Sequence, residues 1–388
     1  MAIPLYYNLR NLRFRKTTTL MTALGIALTV AVLLGIMAMV AGLKSALRSS
    51  GNPLNLIVMR KNSSSELVSQ IAREAVMNIR FKEGIQKLPN GEPMVSGEIV
   101  TVINLPGKDK PEGANVNIRA LSEIGVKMRP EVNIVTGRWY EPGQREIIVG
   151  KSVASRYAGA SLNDSLRFGR GDWKIVGVFD AQRTAFESEI WGELNQIGAD
   201  FNRSEVLSSA LVRAVDPAAL EALKNSISED QRLYLEGKPE TDYYAQQTNS
   251  ARPIEFLGVF VAVIMAIGSS FAAMNTMYAA VSRRSREIGT LRVLGFSRTS
   301  ILISFVIESL LLSVLGGLIG VALVIPLNGV ESGIGNSVTF SQTSFDFRIT
   351  PEIMLAGIGF ATFMGIMGGL LPARSASKQD ILNALREL

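Results

Sequence analysis

The chain contains neither cysteine nor histidine. That excludes disulfides, thiolate nucleophiles, zinc sites of the usual ligand types and histidine-based acid–base catalysis. Charge is also scarce. Asp, Glu, Lys and Arg make up 19% of the 388 residues, where soluble domains carry about 25%. With a mean hydropathy of +0.23, that deficit places part of the chain in lipid. The missing cysteines do not fix a compartment, because an extracytoplasmic domain without them needs only a sufficient core. No paired carboxylates stand at a catalytic spacing, and the serines have no histidine to activate them. No catalytic, cofactor-binding or metal-ligating residue is therefore assigned. Gly150-Lys151-Ser152 matches the end of a phosphate-binding loop, but the required earlier glycine is replaced by Arg145, so the cradle is incomplete.

Long apolar runs are abundant instead. A helix needs about 20 apolar residues to cross the hydrocarbon core, and four stretches qualify: 18–43, 254–282, 301–327 and 352–371. The first is longer than a signal-peptide core and reads as a retained helix. The third carries one charge, Glu308. An acid inside a span is a functional candidate, the alternative being a packing residue paired with an arginine. Gly316, Gly317 and Gly320 in the third span, with Gly357, Gly365, Gly368 and Gly369 in the fourth, allow close helix approach. They suit packing within the chain or a dimer face equally.

The net charge of +6 sits beside these runs. Arg10, Arg13, Arg15 and Lys16 precede the first span; Arg283, Arg284, Arg286, Arg292 and Arg298 lie between the second and third. The positive-inside rule makes both termini and this Arg-rich segment cytoplasmic. The expected order is an amphipathic amino-terminal segment (1–17, with Leu5, Leu9 and Leu12 on one face), a first span, and an extracytoplasmic domain with a stalk (44–253). The second span, a cytoplasmic loop (283–300), the third span, a short outer loop (328–351), the fourth span and a cytoplasmic tail (372–388) follow.

The 44–253 segment is large enough for a substantial core and reads as α+β. Strands are expected at 54–60, 94–105, 115–121, 207–214 and 233–236, with helical character at 67–81. A hairpin turns at Gly169-Arg170-Gly171-Asp172, and a helix over 217–231 has Asp216 as its N-cap and Pro217 at its first position. Its acids and bases nearly balance, which argues against a nucleic-acid surface. The polar run TDYYAQQTNSAR, 241–252, is expected to form a stalk leading into the second span. In the cytoplasmic loop, Ile288, Leu291 and Leu294 recur at helical spacing. A short helix of that kind suits docking into a groove on a partner.

The run REIGTLRVLGFSRTSI at 286–301 resembles the loop between the second and third membrane helices of MacB/FtsX-like ABC permeases. The ending GGLLPARSASKQDILNALREL at 368–388 is similar to that family's carboxy terminus, with Pro372-Ala373-Arg374 and Leu385-Arg386 as its marks. The resemblance implies four transmembrane helices plus an α+β extracytoplasmic MacB-like core domain in the bacterial inner membrane. It also implies a homo- or heterodimer of permease subunits and a cytoplasmic ABC ATPase that binds the ATP. Arg286, Glu287, Ile288, Gly289, Leu291, Arg292 and Gly295 would then form the ATPase-coupling element. ATP-driven motion would be passed to the outer domain, a process called mechanotransmission, for export or extraction of peptide, lipid, lipoprotein or drug substrates. An extracytoplasmic adaptor and an outer-membrane channel are further implied partners. With no Walker motif in the sequence, the ATPase is expected as a separate subunit, as in LolC- and DevC-like systems. An FtsX-like regulator of a cell-wall hydrolase is the alternative reading.

Overall fold

Where backbone groups have no water to bond, they must be satisfied within their own segment, and uncharged runs of this length therefore become helices. The structure, a computed structural model, describes residues 16–108, 112–248, 252–336 and 339–379, together with residues 4, 6, 7, 10 and 14. In chain order the elements begin with α1 (Lys16–Arg48), β1 (Asn55–Arg60), β2 (Ile71–Ala72), α2 (Arg73–Ile79), β3 (Val95–Leu105), β4 (Ala114–Leu121), α3 (Glu123–Lys127) and β5 (Asn133–Gly137). Next come β6 (Glu146–Gly150), α4 (Lys151–Arg156), β7 (Ser165–Phe168), β8 (Gly171–Asp180), β9 (Glu189–Glu193), α5 (Leu194–Asp200), β10 (Val206–Leu207), β11 (Ser209–Arg213) and α6 (Pro217–Ser228). The last are β12 (Leu235–Pro239), α7 (Glu240–Gln247), α8 (Arg252–Arg283), α9 (Ser285–Val293), α10 (Arg298–Val324), β13 (Glu331–Gly335), β14 (Gln342–Asp346) and α11 (Pro351–Ser377). The Leu5, Leu9 and Leu12 face, the Leu385-Arg386 ending and residues 249–251 of the stalk lie outside the described residues.

Two units result. The helical unit holds residues 1–41, 253–330 and 347–388, and among the described residues four helices are long and apolar enough to cross a membrane. The helices outrun the apolar stretches: α1 continues to Arg48 and α11 to Ser377, with Pro372 inside it. The glycine stripe serves packing within the chain. A Cβ at Gly316 would fall 2.8 Å from the Ala23 carbonyl oxygen, and one at Gly320 would fall 2.8 Å from that of Ala27. Helices α1 and α10 thus meet backbone to backbone, as small residues permit in lipid. Gly365 and Gly369 of α11 leave room in the same way for Ser313 and Ser309 of α10.

The α+β unit holds residues 42–252 and 331–346. Its ten-stranded sheet runs β12-β1-β11-β3-β4-β9-β6-β8-β5, with β7 paired to β8. β3 joins the two halves: residues 95–98 pair with β11 and residues 99–105 with β4. The expected hairpin is present, with Ser165 opposite Lys174 and Phe168 opposite Gly171. The Asp216 carboxylate accepts from the Ala219 N–H at the start of α6 at 2.8 Å, the N-cap bond that residue type favours. Three expectations are corrected. The 207–214 strand is broken at Ser208, whose hydroxyl engages the Val100 N–H at 3.0 Å and carbonyl at 3.2 Å. The 67–81 stretch becomes the short strand β2 followed by α2. The short outer loop is no independent segment: β13 and β14 form a hairpin that belongs to the α+β unit.

A sealed ionic cage lies in this unit. The Arg119 guanidinium, 2% exposed, donates to Glu66 (3.0 Å), Glu98 (2.8 Å) and Glu189 (2.9 Å). Arg129 donates both Nη groups to Glu98 at 2.7 and 2.9 Å. Burial alone would raise the Glu66 carboxyl; Arg119 outweighs it and holds the group below its ordinary value. Glu240 at the start of α7 accepts from the Asn52 N–H and the Asn55 amide at 2.8 and 2.7 Å. Burial pushes its carboxyl up, with Arg129 only partly opposing.

Glu187, between β8 and β9, adds a pH dependence. Its Oε1 accepts from the N–H groups of Ala181 and Arg183 at 3.1 and 2.7 Å. Burial, then the hydrogen bond with Asp180, pushes the carboxyl up to about 7. The folded unit therefore binds more protons than the unfolded chain between pH 4.5 and about 7. Stability should be highest below that window and fall as pH rises through it. Thermal unfolding of the chain should show this decline, and Glu187→Gln, which keeps the acceptor, should flatten it.

Candidate cytoplasmic coupling site

The site is built where α8 ends, α9 crosses and α10 begins. Arg284, the N-cap residue of α9, is 7% exposed. Its Nη1 donates to the Glu308 carboxylate of α10 at 2.9 Å, its Nε to Glu287 at 2.8 Å and its Nη2 to the Tyr7 hydroxyl at 3.0 Å. Tyr7 in turn donates to Glu287. The guanidinium also stacks over the rings of Phe305 and Tyr7, 5.0 and 5.5 Å from their centroids, a geometry that favours Arg. Burial, then the Glu287 carboxylate, pushes the Tyr7 hydroxyl above its ordinary value, which keeps it a proton donor. Gln379, beyond α11, donates to Ser285 at 3.0 Å. One arginine thus ties the amino-terminal segment, the start of α9 and the interior of α10 together.

The sequence-predicted residues divide into two groups. Ile288 is 2% exposed and packs with Met277, Val281, Ile301, Phe305, Ala373 and Ala376. Gly289 is also buried. The expected docking face is therefore partly internal, because the tight link to α8 and α10 turns Ile288 inward. Arg286 is exposed, Leu291 and Arg292 are half-buried, and Glu287 reaches inward with 40% of its side chain exposed. The outward apolar surface is Val293 and Leu294, 63% and 65% exposed. Glu308 is 5% exposed and paired with Arg284. Arg284 and Tyr7 were missed in the sequence, where Arg284 resembles any positive-inside arginine.

Gly295 ends α9. Its φ is +92°, the Phe296 N–H reaches the Leu291 carbonyl at 3.1 Å and the Gly295 N–H that of Arg292 at 3.2 Å. This pair of bonds is a Schellman cap. Nothing lies within 4 Å of a Cβ there, so Gly295→Ala should cost only the left-handed penalty, about 1–2 kcal/mol of local stability. Faster amide exchange confined to the end of α9 would register it.

Among the described residues no group of three or more His, Cys, Asp or Glu is placed to hold a metal ion. Gly150 follows from close packing rather than phosphate binding, since a Cβ there would overlap the Glu187 backbone.

Comparison with known proteins identifies the family. The model of the MacB-like periplasmic core domain matches residues 19–230, more than half of the chain, and that of the FtsX-like permease C-terminal region matches residues 259–381. The macrolide export ATP-binding/permease protein MacB of Bdellovibrio bacteriovorus is 24% identical over 98% of this chain and 61% of its own length. The uncharacterized ABC transporter permease YknZ of Bacillus subtilis is 23% identical over 96% of this chain and 95% of its own length. The chain thus spans about three fifths of that MacB relative. The periplasmic region of MacB from Actinobacillus actinomycetemcomitans aligns with 50% of the chain and 92% of that structure, at 12% identity and a TM-score of 0.37. The extracellular domain of YknZ from Gram-positive bacteria aligns with 47% of the chain and 99% of that domain, at 12% identity and a TM-score of 0.36. With the periplasmic-core match covering more than half of it and the permease match covering its last three helices, the chain belongs to the MacB/FtsX-like family of ABC transporter permeases.

Proposed function

We propose that α9 is the docking element for a cytoplasmic ABC ATPase and that this chain couples ATP hydrolysis there to motion of the α+β unit on the far side of the membrane. The observation that carries the reading is the Arg284 knot: a buried ion pair holds α9 to the interior of α10, while Val293 and Leu294 at its other end stand exposed. A helix anchored at one end with an apolar, arginine-flanked tip suits a groove on a partner. Such anchoring lets a push on α9 reach α10 without being lost in loop motion. The exposed apolar side of α8, including Phe256, Phe260, Ile264, Ile267 and Phe271, is left for lipid or a second permease subunit. The substrate falls among peptides, lipids, lipoproteins and drugs handled beyond the inner membrane, with both termini and α9 cytoplasmic.

The test is co-purification with the cognate ATPase. Val293→Asp combined with Leu294→Asp removes an exposed apolar tip and should leave the melting temperature within about 2 °C, since surface changes cost little. Complex formation should fall at least tenfold. A double variant that binds the ATPase like wild type would show that α9 does not dock it.

A further inference from the structure

A cleft of about 260 Å³ opens in the α+β unit between α2, the first residues of β3 and β10. Arg73, Val76, Arg80, Val95, Leu194 and Leu207 line it. The floor is apolar because Gly97 lets Leu207 lie across β3: a Cβ there would fall 2.6 Å from the Leu207 Cδ1. The two arginines stand seven residues apart, Arg73 at the first position of α2 and Arg80 at its C-cap, and the lining contains no acid. The Arg73 Nε is shielded from solvent and meets no acceptor among the described residues. Arg80 reaches the Val95 carbonyl at 3.4 Å and Glu92 at 3.8 Å, the latter a solvated pair of small worth. Met77, 56% exposed, lies at the mouth.

We propose that this cleft binds a small organic carboxylate carrying a short apolar group. Two guanidinium groups beside an apolar floor, with no acid in the lining, offer an incoming carboxylate a charge-assisted bond. A guanidinium recognises the planar carboxylate through paired donors, and the second arginine adds to the field that draws the anion in. The floor takes the apolar group, in the combination of apolar walls and a few placed polar groups that marks ligand sites. A hydrated sugar or a multiply charged phosphate would leave the floor unfilled. The acid end of an apolar-terminated peptide and a free short-chain acid share this chemistry. The site is independent of ATPase docking.

The test is calorimetric titration of the full chain in nanodiscs with N-acetyl-leucine, N-acetyl-leucinamide and hexanoate. N-acetyl-leucine should bind saturably and the uncharged amide at least tenfold more weakly. Arg73→Gln should weaken the acid at least tenfold while melting like wild type. If that variant melts early, Arg80→Gln, at a half-buried position, makes the same comparison. Hexanoate binding as tightly as N-acetyl-leucine would assign the site to free short-chain acids; selective binding of N-acetyl-leucine would assign it to peptide termini. No saturable binding of either acid, equal binding of the amide, or wild-type affinity in both arginine variants would overturn the proposal.

Discussion

Arg284→Ala is expected to destabilise the helical unit by about 3–5 kcal/mol, the cost of stranding a buried charge, because Glu308 is left without its 2.9 Å partner. Glu287 and Tyr7 lose the same anchor, so α9 should detach at its first turn. Thermal unfolding in detergent would register the loss of stability, and ATP hydrolysis by the assembled complex would register the loss of coupling. A second variant separates the two effects. Replacing the pair by Met at 284 and Leu at 308 removes both charges together, and such exchanges are often neutral or stabilising by about 1–4 kcal/mol. Stability should therefore return. Coupling should not, because a methionine cannot hold Glu287 and Tyr7. Recovery of both would reduce the knot to a packing device.

Arg119→Ala should be comparably damaging in the α+β unit. Five hydrogen bonds to Glu66, Glu98 and Glu189 disappear together, leaving three acids buried at 4% exposure or less. Breaking such a set costs about 3–5 kcal/mol. The loss should be greatest at neutral pH and shrink under acid, where the stranded carboxylates take up protons. Without Arg119, burial is left as the dominant influence on the Glu66 carboxyl and pushes it up, so proton binding favours the folded form at low pH. Chemical unfolding of the variant at pH 5 and pH 7.5, compared with wild type, would establish it.

These two clusters mark where sequence reading ran out. The four membrane helices were legible because hydropathy is a local property of each run, and the β7–β8 hairpin and the Asp216 cap were legible because their signals lie within a few residues. The Arg119 cage was not, since its partners stand 21, 53 and 70 residues away and only the folded sheet brings them together. Arg284 reads as one of the positive-inside arginines, because composition cannot say which of several neighbours turns inward. The same limit misplaced Ile288. Its spacing with Leu291 and Leu294 is helical as expected, but a helix has two sides, and the connection to α8 and α10 decided which side was buried. The 328–351 segment reads in the sequence as a simple loop, yet its β13–β14 hairpin belongs to the α+β unit.

The absence of cysteine makes the central claim directly measurable, because nitroxide labels can be placed without background. Val135→Cys puts a label on an exposed position of the α+β unit, 62% accessible. Pulsed electron resonance on the complex assembled in nanodiscs would read the distance between labels on two copies, with and without a non-hydrolysable ATP analogue. If α9 carries the motion, the analogue should shift that distance in wild type and leave it fixed in the Arg284→Met, Glu308→Leu variant. An unchanged distance in wild type, or an equal shift in the variant, would contradict the account.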